Sequence, residues 1–240
     1  MKVELIGTGS MYTSFHGACA LIDEQVLIDM PNGTVKQLLR QNHVIEDIKT
    51  VLITHKHGDH TADIPFLFKY LRVQTGERRK LTMIGPEGLY EKILQLFQAY
   101  NFEEGKQIED LVDLECIEIK KEQEELFING YAVQAFFVSH GDERPCYGYL
   151  LNHKLGYTGD TTLCVGVEKI WHSSKVMIAD SNFNKEITTH MHLEHIKNLV
   201  TRQEDKILIT THMGDGTREA LHKEKIPHVV IPEDGYTFEV

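Results

Sequence analysis

Long apolar runs are missing from this chain of 240 residues, and none of its segments reaches membrane-spanning length. Met1 to Ile6 enters a strand pattern at once, without the basic and apolar regions of a signal peptide. Cysteine is sparse. Cys19, Cys116, Cys146 and Cys164 are scattered, form no CxxC pair and read as reduced, mostly buried thiols of a cytoplasmic protein. Proline-rich, Gly/Ser-rich and low-complexity stretches are also missing, so nothing marks a linker and residues 1–240 are expected to form one domain. Positive charge is the remaining shortage. Lys and Arg number 25 against 36 Asp and Glu, a net charge of −11, which argues against wrapping a long nucleic acid by summed charge while leaving a nucleotide substrate open.

What the chain does have is histidine, concentrated at one point. His55, Lys56, His57, Gly58, Asp59 and His60 follow directly on the apolar run Val51–Thr54. A strand presents its side chains alternately, and a tight turn after it lets His55 and His57 face one cation while Asp59 and His60 face a neighbour. Imidazole and carboxylate without thiolate suit Zn(II), Mn(II) or Fe(II) in a site with open positions for water. A merely solvated turn would not need this density of ligands. Of the other histidines, His16, His43, His153, His172, His222 and His228 are expected mostly at the surface.

Strands are expected at Val3–Ile6, Cys19–Ile22 and Val26–Asp29, separated by turns at 7–10 and at Asp23 and Glu24. Ile64, Leu67, Phe68 and Leu71 recur at helical spacing behind Thr61, a candidate N-cap, and a second helix is expected to open at Pro86 with Leu89, Ile93, Leu96, Phe97 and Tyr100 as its apolar face. The polar stretches 103–110 and 122–125 read as solvated loops. Asn129 and Gly130 mark a hairpin that feeds the strand Tyr131–Ser139 and so presents His140. Asp160 follows Gly159, and His212 ends the strand Lys206–Thr211. Val51–Asp59 and Ile207–Asp215 echo each other: each is an apolar strand ending in Thr-His and followed by Gly-Asp. On these patterns alone the chain is a mixed α/β protein.

In order and local context, Asp29, the His55–His60 cassette, His140, Asp160 and His212 resemble the five motifs of the metallo-β-lactamase superfamily, over nearly the whole chain. The resemblance implies a four-layer αββα sandwich. It implies that His55, His57 and His140 hold one metal, that Asp59, His60 and His212 hold a second, and that Asp160 bridges them. Asp29 would orient a ligand histidine through its free ring nitrogen. The segments Ala179–Phe183 and Thr189–His195 are similar to two extra motifs of the ribonuclease Z-like and cyclic phosphodiesterase branch, as are Gly58 and the run from Gly85 to Leu89. There an acidic residue after a strand pairs with a histidine at a helix start, which implies that His190, positioned by Asp180, donates a proton to the departing oxygen or binds the phosphate. Two departures stand out: the branch has Glu where this chain has Asp180, and Gly where it has Thr189. His192 and His195 read instead as decoration of a helix whose buried face is Leu193, Ile196, Leu199 and Val200.

The expected function is a binuclear metal-dependent hydrolase, with two divalent ions, Zn first and Mn or Fe next, supplying a bridging hydroxide at neutral pH. A phosphodiesterase is the leading reading, with Asp59, Asp180 and His190 as catalytic residues and Arg144 as a contact for a substrate anion. The interval 141–159 leaves no room for the protruding arm of tRNA-processing members, so a small phosphodiester, cyclic phosphate or nucleotide is favoured over long nucleic acid. No membrane partner is expected, and a homodimer is allowed. Two other readings use the same metals: a hydrolase of a lactone, thioester or β-lactam, and a catalytically silent metal-binding protein. Flavin-coupled redox chemistry is disfavoured, since that branch has an acidic residue at the place of His57.

Overall fold

The computed structural model describes residues 1–100, 105–122, 124–201 and 205–240. Its first half runs β1 (Lys2–Gly7), β2 (Cys19–Ile22), β3 (Val26–Ile28), α1 (Thr34–Arg40), β4 (Thr50–Leu52), α2 (Gly58–Thr61), α3 (Ile64–Thr75), β5 (Arg79–Gly85), α4 (Leu89–Tyr100) and β6 (Val112–Glu118). The second runs β7 (Glu125–Ile128), β8 (Tyr131–His140), β9 (Glu143–Leu151), β10 (Leu155–Tyr157), α5 (Val165–Ser173), β11 (Val176–Asp180), α6 (Leu193–Val200), β12 (Ile207–Thr211), α7 (Asp215–Glu224), β13 (Val229–Val230) and β14 (Tyr236–Glu239). The strands form two sheets of seven, ordered β14-β1-β2-β3-β4-β5-β6 and β13-β12-β11-β10-β9-β8-β7. Each sheet is parallel in one half, β3 to β6 and β10 to β13, and antiparallel in the other.

Three apolar layers explain why the parallel strands read as continuous hydrophobic runs: both faces of each sheet are covered. Val26, Ile28 and Leu52 point between the sheets, where they meet Tyr149, Leu151, Ile178 and Ile209 of the other sheet. Their neighbours Leu27 and Val51 point the opposite way, against Leu38 of α1, Leu67, Phe68 and Leu71 of α3, and Ile93 of α4. On the far side, Met177 and Leu208 pack under Ile170 and Trp171 of α5, Ile196 and Leu199 of α6, and Leu221 of α7. The result is the α/β/β/α sandwich that the family resemblance implied.

The hairpin turn at Asn129 and Gly130 forms as expected, with φ of 50° and 89°. Helix starts differ from the sequence reading. Thr61 does not cap α3; it closes the short α2, its hydroxyl bonded to the His57 carbonyl at 2.8 Å, and Asp63 occupies the N-cap. Pro86 lies in a turn, with the amide of Leu89 donating to its carbonyl, so α4 begins three residues later than the proline suggests. The polar stretch 103–110 lies partly outside the described residues; its described end forms a 3-10 turn at Ile108–Asp110. The stretch 122–125 is likewise described only in part, and Glu125 opens β7. Two expected surface groups are tied down instead. Asp23 accepts from the Lys2 amide and the Tyr131 hydroxyl, and the His43 ring is buried between Glu24 and Glu4.

The sheets are also joined by polar bonds at the root of the cassette. Tyr149 of β9, fully buried, donates its hydroxyl to the Ile53 carbonyl at 2.6 Å, and the Tyr147 amide donates to the Thr54 carbonyl at 2.9 Å. Replacing Tyr149 by Phe keeps ring volume but strips a buried carbonyl of this donor. Tyr149→Phe should therefore lower unfolding free energy by about 1–3 kcal/mol, read from the midpoint of a urea transition. A change below about 0.5 kcal/mol would show that the bond contributes little to holding the sheets together.

Candidate active site

The candidate residues lie where strands end, along one seam between the sheets, as ligand sites of open parallel sheets do. Asp29 follows β3, the cassette follows β4, Asp160 follows β10, Asp180 ends β11, His212 follows β12, and His140 ends β8 from the antiparallel side. Two of these turns are made by left-handed backbone, Asp29 at φ 61° and His212 at φ 52°. Such residues cost on the order of 1–3 kcal/mol unless the surroundings fix them. Here they are fixed: the Asp29 amide donates to Leu52 at 2.8 Å, and the next residue along from His212, Met213, donates to Thr8 at 3.0 Å. Gly159 has φ 61°, and a Cβ there would meet the Thr54 side chain at 2.7 Å, so the glycine lets the Asp160 turn close over the cassette root.

Three groups of ligand atoms assemble, each with its atoms within 4.8 Å of one another: His55, His57 and His140; Asp59, His60, Asp160 and His212; and Asp160, Asp180, His190 and His212. The first two groups correspond to the two ligand sets implied by the resemblance. Asp160 Oδ2 lies 3.3 Å from His60 Nε2 and 3.9 Å from His140 Nε2, between the two sets. In the first, Nδ1 of His57 lies 3.1 Å from Nε2 of His55 and 3.3 Å from Nε2 of His140. In the second, the buried Nε2 atoms of His60 and His212 have no hydrogen-bond partner among the described residues. Imidazole nitrogens aimed at one another, and buried nitrogens left over beside carboxylates, fit divalent cations better than they fit a set of internal hydrogen bonds.

The atoms behind the ligands hold them in register. Asp29, fully buried, takes His60 Nδ1 at 2.9 Å and both the amide and hydroxyl of Thr54 at 2.8 Å, leaving His60 Nε2 directed at Asp160. His140 Nδ1 faces the Thr189 carbonyl at 2.8 Å. Asp180 Oδ2 takes His190 Nδ1 at 2.7 Å and the Thr161 amide at 2.9 Å, while its Oδ1 takes the Asn182 amide at 3.0 Å. His190 lies two residues before the N-cap of α6, with its ring stacked on His212 at 5.2 Å. His192 is the N-cap residue itself and packs against His195, 3.7 Å between ring centroids, away from the ligand groups.

Burial pushes His55 well below the ordinary imidazole range, reinforced by His60, and it lowers His140 as well. The other set behaves oppositely. For His212 burial lowers the pKa, but Asp160, Asp180 and Asp59 outweigh it and bring it up to about 10. His60 is raised in the same way by Asp160 and Asp29 against its own burial. His190 is raised because Asp180 overcomes burial. The carboxylate-rich half thus favours positive charge, whereas burial at His55 and His140 favours the neutral ring, the form that binds a metal ion.

A cavity of about 440 Å³ opens over these groups, lined by His57, Asp59, His140, Asp160, His190 and His212 together with Ser10, Met11, Tyr12, Asn182 and Phe183. Arg144 is exposed and lines a separate depression on the other side of His140, with Phe137, Cys146 and Val165. Sequence reasoning did not single out Thr54, Asn182, Phe183 or the rim residues Met11 and Tyr12. Asn182 and Phe183 sit inside the recognised segment after Asp180, which is the one signal that could have found them. Nothing local marks Met11 and Tyr12, brought to the cavity by contacts distant in sequence.

Comparison with known proteins places this geometry. Ribonuclease Z of Staphylococcus epidermidis is 35% identical over 127 residues, covering 51% of this chain and 37% of that protein. Ribonuclease Z of Lachnospira eligens is 27% identical over 186 residues, covering 74% of this chain and 56% of that protein. The chain thus aligns with 37% to 56% of the length of these curated relatives. In fold it is similar to the metallo-β-lactamase fold protein YhfI of Bacillus subtilis, with a TM-score of 0.81, 18% identity, and coverage of 100% of this chain and 99% of that one. The human short-form tRNase Z follows, at a TM-score of 0.75 and 19% identity, covering 100% and 99%. A family model described as "Anti-Pycsar protein Apyc1" matches residues 1–232, and the chain, with its metallo-β-lactamase fold, belongs to that family.

Proposed function

We propose that this chain is a single-domain, binuclear metal-dependent phosphodiesterase acting on a small phosphodiester, a cyclic phosphate or a nucleotide. The observation that carries the reading is the His190–Asp180 pair, 2.7 Å apart, in which buried Asp180 backs His190 on the wall of the cavity that is also lined by members of both candidate ligand groups. Carboxyl-ester chemistry has less need of a proton donor there. The ribonuclease Z relatives support phosphoryl-ester cleavage, and the family description makes opposition to Pycsar the biological setting we propose for it.

His55, His57 and His140 would hold one ion, Asp59, His60 and His212 the other, with Asp160 shared between them. Bound divalent cations, Zn(II) in the first instance, would make a water acidic enough to attack at neutral pH and polarise the phosphoryl oxygen. The protein groups do the rest. Asp29 and the Thr189 carbonyl fix the rotation of His60 and His140, so that the Nε2 atoms of both face Asp160 without reorganisation. Asp180 is itself held by the Thr161 and Asn182 amides, so it keeps the His190 ring oriented with Nδ1 bound and the opposite nitrogen available to the substrate. A protonated imidazole so placed gives its proton to the oxygen that leaves phosphorus. An acidic envelope around a locally cationic pocket suits a single phosphate group better than a long polyanion.

Metal analysis tests the first half of this proposal. Protein reconstituted with Zn(II) or Mn(II) should hold about two ions per chain, and Asp160→Ala should lose most of them, while Asp113→Ala on an exposed part of β6 leaves the content unchanged. One ion or none after reconstitution would overturn the binuclear reading. His190→Ala decides between the acid and the alternative ligand group that His190 could form with Asp160, Asp180 and His212. As an acid it should keep full metal content and lose on the order of 10²–10⁴ in kcat on a 2′,3′-cyclic nucleotide, whose alkoxide leaves poorly. Much more of the rate should survive on bis-p-nitrophenyl phosphate, whose phenolate departs unassisted. Equal small losses on both would remove the acid role, and loss of metal would make His190 a ligand. A homoserine lactone, a glutathione thioester and a cephalosporin belong in the same panel, because turnover of these alone would favour the carboxyl-ester alternative.

A further inference from the structure

The rim of the cavity carries groups that the phosphodiester chemistry does not use. Tyr12 is 90% exposed and Met11 54%, and both line the cavity together with Phe183, which is 37% exposed. Single exposed apolar side chains need no explanation, but three around the mouth of one charged pocket form a patch with a ligand-facing position. Phe183 also fixes which part of a substrate it would meet. Its ring lies 5.5 Å from that of His190, so a leaving group protonated by His190 lies against Phe183.

The loop that carries Tyr12 is built as a rigid support rather than a loose end. Its two arms are joined by the Gly9 amide on the His16 carbonyl at 2.8 Å. The Ser10 amide donates to Met213 at 3.1 Å, which anchors the loop beside His212. Asp234, more than two hundred residues away in sequence, clasps both arms: its Oδ1 accepts from the amide and hydroxyl of Thr8 at 2.9 Å, and its Oδ2 from the His16 amide at 2.7 Å. Arg218 completes the root. It donates to the Thr8 hydroxyl at 2.9 Å and to the Pro232 carbonyl, and its guanidinium lies 3.8 Å from the Phe15 ring centre. A Cβ on Gly9 would meet Thr13 Oγ1 at 2.3 Å, a measure of how closely the loop is folded on itself. Its large exposed side chains are Met11 and Tyr12 at the tip.

We propose, resting on the phosphodiesterase reading for the placement of the leaving group, that Tyr12 and Phe183 grip a planar nucleobase on the alcohol side of the substrate, and that Asp234 is the positioning residue that holds the Tyr12 loop in place. Every base offers a π-face, and an aromatic ring on a preorganised loop binds it without first having to be ordered. The phosphate ester would lie at the cavity floor and its base at the rim.

Calorimetric binding to the metal-reconstituted protein tests this without requiring turnover. Adenosine 5′-monophosphate should bind about 5- to 150-fold tighter than ribose 5-phosphate, the range that base stacking on aromatic side chains supplies. Tyr12→Ala and Phe183→Ala should each reduce that ratio and the double variant should bring it close to one, with ribose 5-phosphate affinity held within about twofold. Tyr12→Phe should retain it. Asp234→Ala should lower the ratio while metal content and ribose 5-phosphate affinity persist, a pattern that general destabilisation would not give. Should that variant fail to fold, Asp234→Asn, which keeps an acceptor for the Thr8 amide, takes its place. Equal affinity of the wild type for both ligands, or equal losses for both in Tyr12→Ala, would overturn the proposal. A protein that discriminates between the ligands yet cleaves no phosphodiester would overturn the phosphodiesterase reading and leave base recognition standing.

Discussion

Asp29, Asp160 and Asp180 are buried within one seam between two sheets, and three buried carboxylates cannot be stable there without positive charge and hydrogen-bond donors beside them. Much of the rest of the site meets that demand. Thr54 and His60 surround Asp29; Thr161, Asn182 and His190 surround Asp180; His60 and His212 surround Asp160. Burial alone would drive protons off these imidazoles, yet His60 and His212 are raised, because the carboxylate field outweighs desolvation. The same field would receive divalent cations. A protein that builds such a concentration of charge at the ends of its strands incurs a folding cost in exchange for a reactive pocket.

That constraint also explains why the cassette is fastened from the opposite sheet. A cluster of this kind works only if its ligand atoms keep their spacing within a fraction of an ångström. β4 is three residues long and could not hold the following six by itself. The Tyr149 hydroxyl and Tyr147 amide reach from β9 to Ile53 and Thr54, immediately before His55, and Gly159 lets the Asp160 turn lie against Thr54. The cassette is therefore a product of both sheets, although its residues are contiguous.

How much of this could be read from the string follows from the range of each interaction. The cassette, the hairpin at Asn129 and the strands that present His140 and His212 were legible, because ligand density, turn chemistry and apolar runs are local signals, whereas the three-residue strand before Asp160 was not read. The grouping of His140, Asp160 and His212 with the cassette came from resemblance, since no spacing rule connects residues so far apart. Helix starts were misjudged at Thr61 and Pro86 because a competing short element intervenes in each case: the turn of helix at Gly58–Thr61, and the turn that seats Leu89 behind Gly85. The rim loop was illegible altogether. Thr8, Asp234 and Arg218 are unremarkable singly, and only the fold brings them together.

The echo between Val51–Asp59 and Ile207–Asp215 acquires a physical meaning in the structure. Both segments are strands with a parallel neighbour on each side, β4 between β3 and β5, and β12 between β11 and β13. Such a strand can leave its sheet only at its end, where the backbone must turn before a helix begins. Thr-His places a candidate ligand at that point, and Gly-Asp opens the helix that follows, α2 at Gly58 and α7 at Asp215. The acidic residue falls in the first helical turn in both, where it favours the exposed amides. One is turned back towards the ligands as Asp59, the other is exposed as Asp215. Similar local chemistry in the two sheets thus yields dissimilar placements, Asp59 among the candidate ligand atoms and Asp215 in solvent.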